Sequence, residues 1–338
     1  MQEYPDRNES SAQSETSLSK GDMLLAKQLR LAPVAAASEP TNQRLLSTNC
    51  AAQWMILAPA VGKVNLAQGV YGPMLNYDSD RVIGELLRKS GSFQETKILE
   101  VCDFLTRQHD FQSETFVDIG ANIGTHLVFA LKEAGFQSGF GIEPDSNNYR
   151  LLVCNVLLNG LEARVSLFNL ALSDEAGWAE LELSPENYGD HRIRSKDTEH
   201  VVSFGESERI VCAVPKSHAG EWLAKALPDP SHSLIWIDTQ GHEGHIFRCF
   251  LGASHCSPPR FVVSEFWPYG LERVGGKDSY LQYLAECDAV YDINVENWSQ
   301  MPPVTADSFR VQYEKMLAET TAVHYPHTDL LCIRGSAS

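Results

Sequence analysis

The chain of 338 residues has few bases for its acids, 27 Lys and Arg against 44 Asp and Glu, and a formal net charge of −17. Such a balance repels phosphate backbones, so nucleic-acid binding is not expected. The one basic run, Arg192, Arg194 and Lys196, is interrupted by acids and reads as a solvated loop. No CxxC pair occurs among the 8 cysteines, at Cys50, Cys102, Cys154, Cys212, Cys249, Cys256, Cys287 and Cys332. That spacing excludes a zinc finger and a dithiol redox motif. Several of these thiols lie in apolar runs, where they behave as small core residues, so a reduced, cytoplasmic protein is expected. No apolar run approaches the ~20 residues of a membrane span, and the polar N-terminus has no apolar segment of the secretory kind, so no membrane partner is expected.

Residues 1–45 are polar and lack an apolar period, as a disordered tail and linker would. Within them, 23–40 has room for a short helix before Pro33. Residues 46–112 read as an N-terminal module. Turn signals over 53–75 suggest short strands or hairpins. From Asp80 to Leu105 the apolar spacing is helical, broken at Gly91 into two helices. From 113 onward, to 338, strands alternate with helices. The strands expected are Thr115–Ile119, Gly139–Glu143, Val165–Asn169, Ala179–Leu183, Leu234–Asp238, Phe261–Ser264, Tyr291–Val295 and Leu330–Arg334. The helices are Thr125–Glu133, Ser146–Asn159, Glu243–Leu251 and Ser279–Glu286. Strands joined through helices make crossover connections, hence a doubly wound, mostly parallel α/β sheet. Its ligand crevice lies at the carboxyl ends of the strands.

The sequence TFVDIGANIGTH runs from a buried strand through Asp118, Gly120, Asn122 and Gly124 into a helix. Gly120 permits a tight turn, Asn122 tolerates a positive φ, and Gly124 lets the helix start close to the sheet. Glu143 ends the next strand, where a carboxylate can accept both hydroxyls of a ribose. A plain strand-to-helix turn, with Glu143 serving only a helix N-terminus, is the bland alternative. Nicotinamide and adenosylmethionine sites share this outline. A dinucleotide, however, prefers GxGxxG open to a pyrophosphate. Here Asn122 holds the second glycine position and an acid, Asp118, sits in the turn, which suits the cationic end of S-adenosylmethionine better.

The stretches DIGANIGTH (118–126), GIEPDSNNYRLLVCNVLLNG (141–160), NLALSDEAGWAEL (169–181) and WIDTQGHEGHIF (236–247) together resemble the FkbM family of class I methyltransferases. The likeness covers about residues 115–265, with a weaker part at 76–93. It implies a Rossmann-like class I methyltransferase fold with a small N-terminal extension. It also implies S-adenosyl-L-methionine as methyl donor and a hydroxyl acceptor on a saccharide or secondary metabolite. Carried over by residue, Asp118, Gly120, Asn122 and Gly124 form the turn under the methionine end, Glu143 holds the ribose, and Ala171, Leu172 and Ser173 flank the adenine. The acid that many such enzymes place near Leu170 is missing, leaving Asp174 or backbone for the adenine amine. Gln240 stands where the family often has Glu in its fourth motif, so no role needing a charge at 240 is available.

Methyl transfer requires an acceptor held in line and a group to take its proton. The candidates are His242 and His191 as base, with Asp238 as positioner and Glu243 and Glu265 in reserve. His242 and His245 are spaced to share a helix face, and with Asp238 they would suit a metal. The set is incomplete, so no metal is expected and activity should survive chelation. EFWPYG (265–270) offers Phe266, Trp267 and Tyr269 either as a platform for a sugar or as a hydrophobic plug. The competing functions are a nicotinamide-dependent oxidoreductase and a non-catalytic S-adenosylmethionine-binding module. Nothing in the sequence fixes the oligomeric state.

Overall fold

The structure, a computed structural model, describes residues 63–94, 96–194, 209–251, 258–321 and 324–335. The expected tail (1–45), the short helix before Pro33, Lys196, Cys50 and Cys256 lie outside the described residues. Among the described residues no helix is long and apolar enough to cross a membrane.

An antiparallel hairpin of β1 (Val64–Gly69) and β2 (Gly72–Tyr77) comes first, followed by α1 (Ile83–Ser90) and α2 (Thr96–His109). Gly91 ends α1 in the left-handed conformation, the break expected from the sequence. Then β3 (Thr115–Ile119), α3 (Thr125–Lys132), β4 (Ser138–Ile142), α4 (Ser146–Leu158) and β5 (Val165–Phe168) alternate. A second set follows: β6 (Ala171–Ser173), β7 (Gly177–Leu183), β8 (Arg192–Ile193) and β9 (Ile210–His218). The chain continues through α5 (Ala219–Ala226), β10 (Ser233–Ile237), α6 (Glu243–Leu251), β11 (Phe261–Phe266), α7 (Pro268–Val274) and α8 (Lys277–Ala285). It closes with β12 (Ala289–Asp292), α9 (Ala306–Glu319) and β13 (Thr328–Ile333).

The main sheet has seven strands in the order β12-β13-β11-β10-β3-β4-β5. β5, β4, β3, β10 and β11 run parallel, and β13 is antiparallel to both of its neighbours. This is the doubly wound, mostly parallel arrangement expected from the sequence. Alternate residues of each strand feed two cores, because successive side chains point to opposite faces. Phe116, Leu234, Trp236, Phe261 and Val263 join α3, α4 and the hairpin with α1 and α2. Val117, Ile235, Ile237 and Val262 join α5, α6, α8 and α9. With both faces covered, the central strands read as continuous apolar runs.

The hairpin is docked by amides. Asn155 of α4 accepts from the Leu75 N–H at 2.7 Å and donates to the Leu75 carbonyl at 3.1 Å, which satisfies the open edge of β2. The segment around β8 departs from the expected solvated loop. Arg192 is fully buried, its guanidinium 3.6 Å from Glu182 and 4.0 Å from Asp190, because β8 pairs with β7 and turns this side chain inward onto two acids. Arg194, two residues on, is half exposed.

Candidate functional site

The order of the sheet reverses at β3, whose chain neighbours lie on one side while β10 lies on the other, and such a switch point opens a crevice at the strand ends. The glycine turn sits there. Gly120, Asn122 and Gly124 have φ of 89°, 50° and 89°, a left-handed run that few side chains tolerate. A Cβ on Gly120 would lie 1.8 Å from the Asp238 carbonyl oxygen, so the turn is pressed directly against the end of β10.

One cleft collects residues from the ends of β3, β4 and β10 and from the segment that follows β5. Its walls include Gly120, Asn122, Glu143, Ala171, Leu172, His191, Asp238 and His242, and it encloses about 510 Å³ of empty space, its open mouth included. Asp118, Gly124 and Ser173 lie behind this lining, and Glu243 and Glu265 lie beyond Asp238. Also in the walls are Gln240, noted above, and Asn148, Tyr188 and Thr239, which the sequence did not single out. Asn148 and Asn122 both donate side-chain N–H groups to the Tyr188 carbonyl, at 3.1 and 2.7 Å. They pin the segment before β8 across the turn, a tertiary role that no local pattern announces.

Glu143 is buried and accepts the backbone N–H of Asn122 at 2.8 Å and of Asp145 at 2.7 Å, one on each oxygen. Each oxygen keeps a further lone pair, so the pair of oxygens can still receive a diol. Burial, then the nearby Asp145, pushes its pKa up to about 8. Asp118 is pushed to about 8 by burial and then by Asp238, and its Oδ2 has no hydrogen-bond partner. Its carboxylate lies under the turn, not among the residues that line the crevice.

The imidazoles are largely engaged, although His242 Nδ1 is buried without a partner. His191 Nδ1 accepts the Ser184 N–H at 3.0 Å, so the neutral ring carries its proton on Nε2 and can only donate there. His242 Nε2 lies 3.0 Å from Ser173 Oγ, and that hydroxyl donates to Asp174 at 3.0 Å, so Nε2 is the donor. Burial pushes His191 down to about 4 and His242, aided by His245, to about 3. Both are poor matches for a base at neutral pH. His245 uses both nitrogens, on Asp174 at 3.1 Å and on the Val274 carbonyl at 2.9 Å, so it does not join Asp238 and His242 around a metal. Burial would raise Asp174, but His245, Ser173 and Arg248 hold it down at about 2, and it lies outside the cleft rather than at an adenine amine.

The carboxylates behave in the opposite way. Asp238 is raised by burial to about 6 and accepts from Gln240 Nε2 at 2.6 Å. Glu243 is raised to about 7, chiefly by burial, and Glu265 well above its ordinary value by burial and then Asp238. In EFWPYG, Phe266, Trp267 and Tyr269 are all buried, the first two turns of chain after β11 acting as the plug rather than an open platform.

The model of the methyltransferase FkbM domain matches residues 118–288, about half of the chain, starting at the acid of the glycine turn. The chain belongs to the FkbM methyltransferase family. Among solved structures it is similar to an FkbM methyltransferase from Methylobacillus flagellatus, at 16% identity and a TM-score of 0.30, over 51% of this chain and 36% of that one. The chain thus spans about a third of that relative's length. It is also similar to P. horikoshii TYW2, solved in complex with MeSAdo, at 11% identity and a TM-score of 0.37, over 80% of this chain and 72% of that one. No curated protein matches it in sequence.

Proposed function

We propose that this FkbM-family chain is an S-adenosylmethionine-dependent O-methyltransferase whose acceptor is a hydroxyl on a saccharide or secondary metabolite. The observation that carries the reading is that Glu143, the glycine turn and Asp238 face one cleft. When bound, S-adenosylmethionine supplies a methyl group activated by a sulfonium. Glu143 would hold the ribose hydroxyls, Gly120 and Asn122 the amino-acid end, and the small apolar wall of Ala171 and Leu172 the adenine. The buried Asp118 carboxyl beneath the turn can ionise against a cationic ligand and offers no donor array to the pyrophosphate of a dinucleotide.

Asp238 takes the acceptor proton in this reading. It is the one acid of its cluster that lines the cleft, and its raised pKa near 6 suits a base working near neutrality. His191, able only to donate, orients a ligand from the segment pinned across the turn. The acceptor is a small molecule or saccharide rather than a nucleic acid, in keeping with the −17 charge. Residues 113–338 form the methyltransferase domain, extended by the module at 46–112. The test is an acceptor screen with S-adenosylmethionine, read as S-adenosylhomocysteine release and by mass spectrometry for a methyl group on oxygen. Methylation of nitrogen or carbon on every acceptor found would refute the O-specificity.

A further inference from the structure

Beside the cleft, β10 and β11 run parallel and in register, with Ile237 opposite Ser264. The residues that follow these two, Asp238 and Glu265, therefore emerge side by side. Glu243, the first residue of α6, returns toward them. One carboxylate oxygen from each of the three lies within 4.8 Å of the other two. Oxygens that surround one hard cation at about 2.0–2.6 Å are spaced in this way, up to about 5 Å apart across the ion.

The balance of partners points to a missing positive charge. Glu243 has no exposed surface, gives Oε1 to the Thr239 N–H and hydroxyl at 2.7 and 2.8 Å, and leaves Oε2 buried with no partner. A buried carboxylate oxygen without a donor is costly unless a cation or proton meets it. Asp238 and Glu265 share a single neutral donor, Gln240 Nε2, at 2.6 and 3.3 Å. Among the described residues no Lys, Arg or His forms an ion pair with any of the three. Of the nearby cationic groups, Lys97 pairs with Asp329 at 2.7 Å and Arg209 with Asp190, while His327 acts on Asp238 only from beyond ion-pair distance.

We propose that Asp238, Glu243 and Glu265 form a binding site for a hard divalent cation, of the magnesium, manganese or calcium kind, at the acceptor side of the cleft. An all-oxygen donor set selects such ions over zinc or copper. The sequence expectation of no metal weighed only Asp238 with His242 and His245; the carboxylates of α6 and β11 make a different set. The site stands on the carboxylates alone and does not depend on what the cleft binds.

The test uses the full chain, stripped with EDTA and titrated with Mn²⁺ at pH 7.5, with the free ion followed by electron paramagnetic resonance. The expected result is saturable binding of about one ion per chain that Mg²⁺ or Ca²⁺ displaces. Glu265→Gln, which keeps an oxygen for Gln240, should weaken it by at least ~10-fold, a loss of about 1.4 kcal/mol. Glu243→Gln should do the same, and Asp174→Asn, outside the cluster, should bind as the parent does. Thermal melts identify any variant that fails to fold. Absence of saturable Mn²⁺ binding by the parent chain, or full binding in both folded Glu variants, overturns the proposal. An S-adenosylhomocysteine titration of the same samples reports on the cofactor cleft separately, so either idea can fail while the other stands.

Discussion

Removing the Glu143 carboxylate should weaken S-adenosylhomocysteine binding by at least tenfold, and the structure allows the size to be worked out. Both oxygens already hold backbone N–H groups and each retains one lone pair for a ribose hydroxyl. Two hydrogen bonds to a charged group contribute roughly 3–6 kcal/mol together. The group must first ionise, and with its pKa raised to about 8 this costs roughly 1.4 kcal/mol at pH 7. The remainder, about 1.6–4.6 kcal/mol, corresponds to at least a tenfold change in Kd. The assay is isothermal calorimetry on the parent chain and Glu143→Ala, with a thermal melt beside it because the Asn122 and Asp145 N–H groups lose their acceptor. The same reasoning sets the pH dependence: affinity should tighten as pH rises toward 8, with proton release on binding visible as a buffer-dependent enthalpy. An unchanged Kd in a folded variant, or affinity that falls as pH rises from 6.5 to 8, would refute the assignment of the ribose to Glu143.

Gly120→Ala should destabilise the fold by at least ~2 kcal/mol in urea titration, since its Cβ would meet the Asp238 carbonyl at 1.8 Å, whereas Gly160→Ala, left-handed but open, should cost only about 1 kcal/mol. With an acceptor in hand, Asp238→Asn should lower kcat by about 10²–10⁴ while S-adenosylhomocysteine binding stays within about threefold. His242→Gln should keep kcat within about tenfold, and a larger loss there would return the base to the imidazole. Stability should fall as pH rises from 6.5 to 8.5. Asp118 and Glu143, raised to about 8, stay protonated in the folded chain where the unfolded chain has ionised, so their contribution is lost through this window. His191 and His242, depressed to about 4 and 3, are still partly protonated in the unfolded chain near pH 6.5 and add a smaller opposing slope that is spent by about pH 7.5. A melting temperature that is flat or rises over that range contradicts the assignment.

The elements that position the cleft were legible because their signals are local. β3, β4 and β10 are short apolar runs, and α4 is preceded by its own cap, Asp145, which accepts the Asn148 N–H at 2.9 Å. The nine-residue β9 gave no such signal, since its first residues are exposed and Pro215 interrupts it. α9 was missed because it buries only Phe309, Tyr313 and Met316, a single narrow stripe. The cofactor turn and Glu143 could be read from spacing; the electrostatics around them could not. Nothing in the sequence tells that His191 spends Nδ1 on a backbone N–H, or that Arg192 lies buried between Glu182 and Asp190. Glu265 approaches Asp238 only because β11 pairs with β10, a tertiary fact that separates chain neighbours from spatial ones.

The central claim is that the cleft between the glycine turn, Glu143 and Asp238 binds S-adenosylmethionine. Calorimetric titration of the unmodified chain with S-adenosylmethionine, S-adenosylhomocysteine and NAD tests it most directly. Saturable binding of both sulfur nucleosides and none of NAD is expected. Tight NAD binding, or a folded chain that binds neither nucleoside, would contradict it.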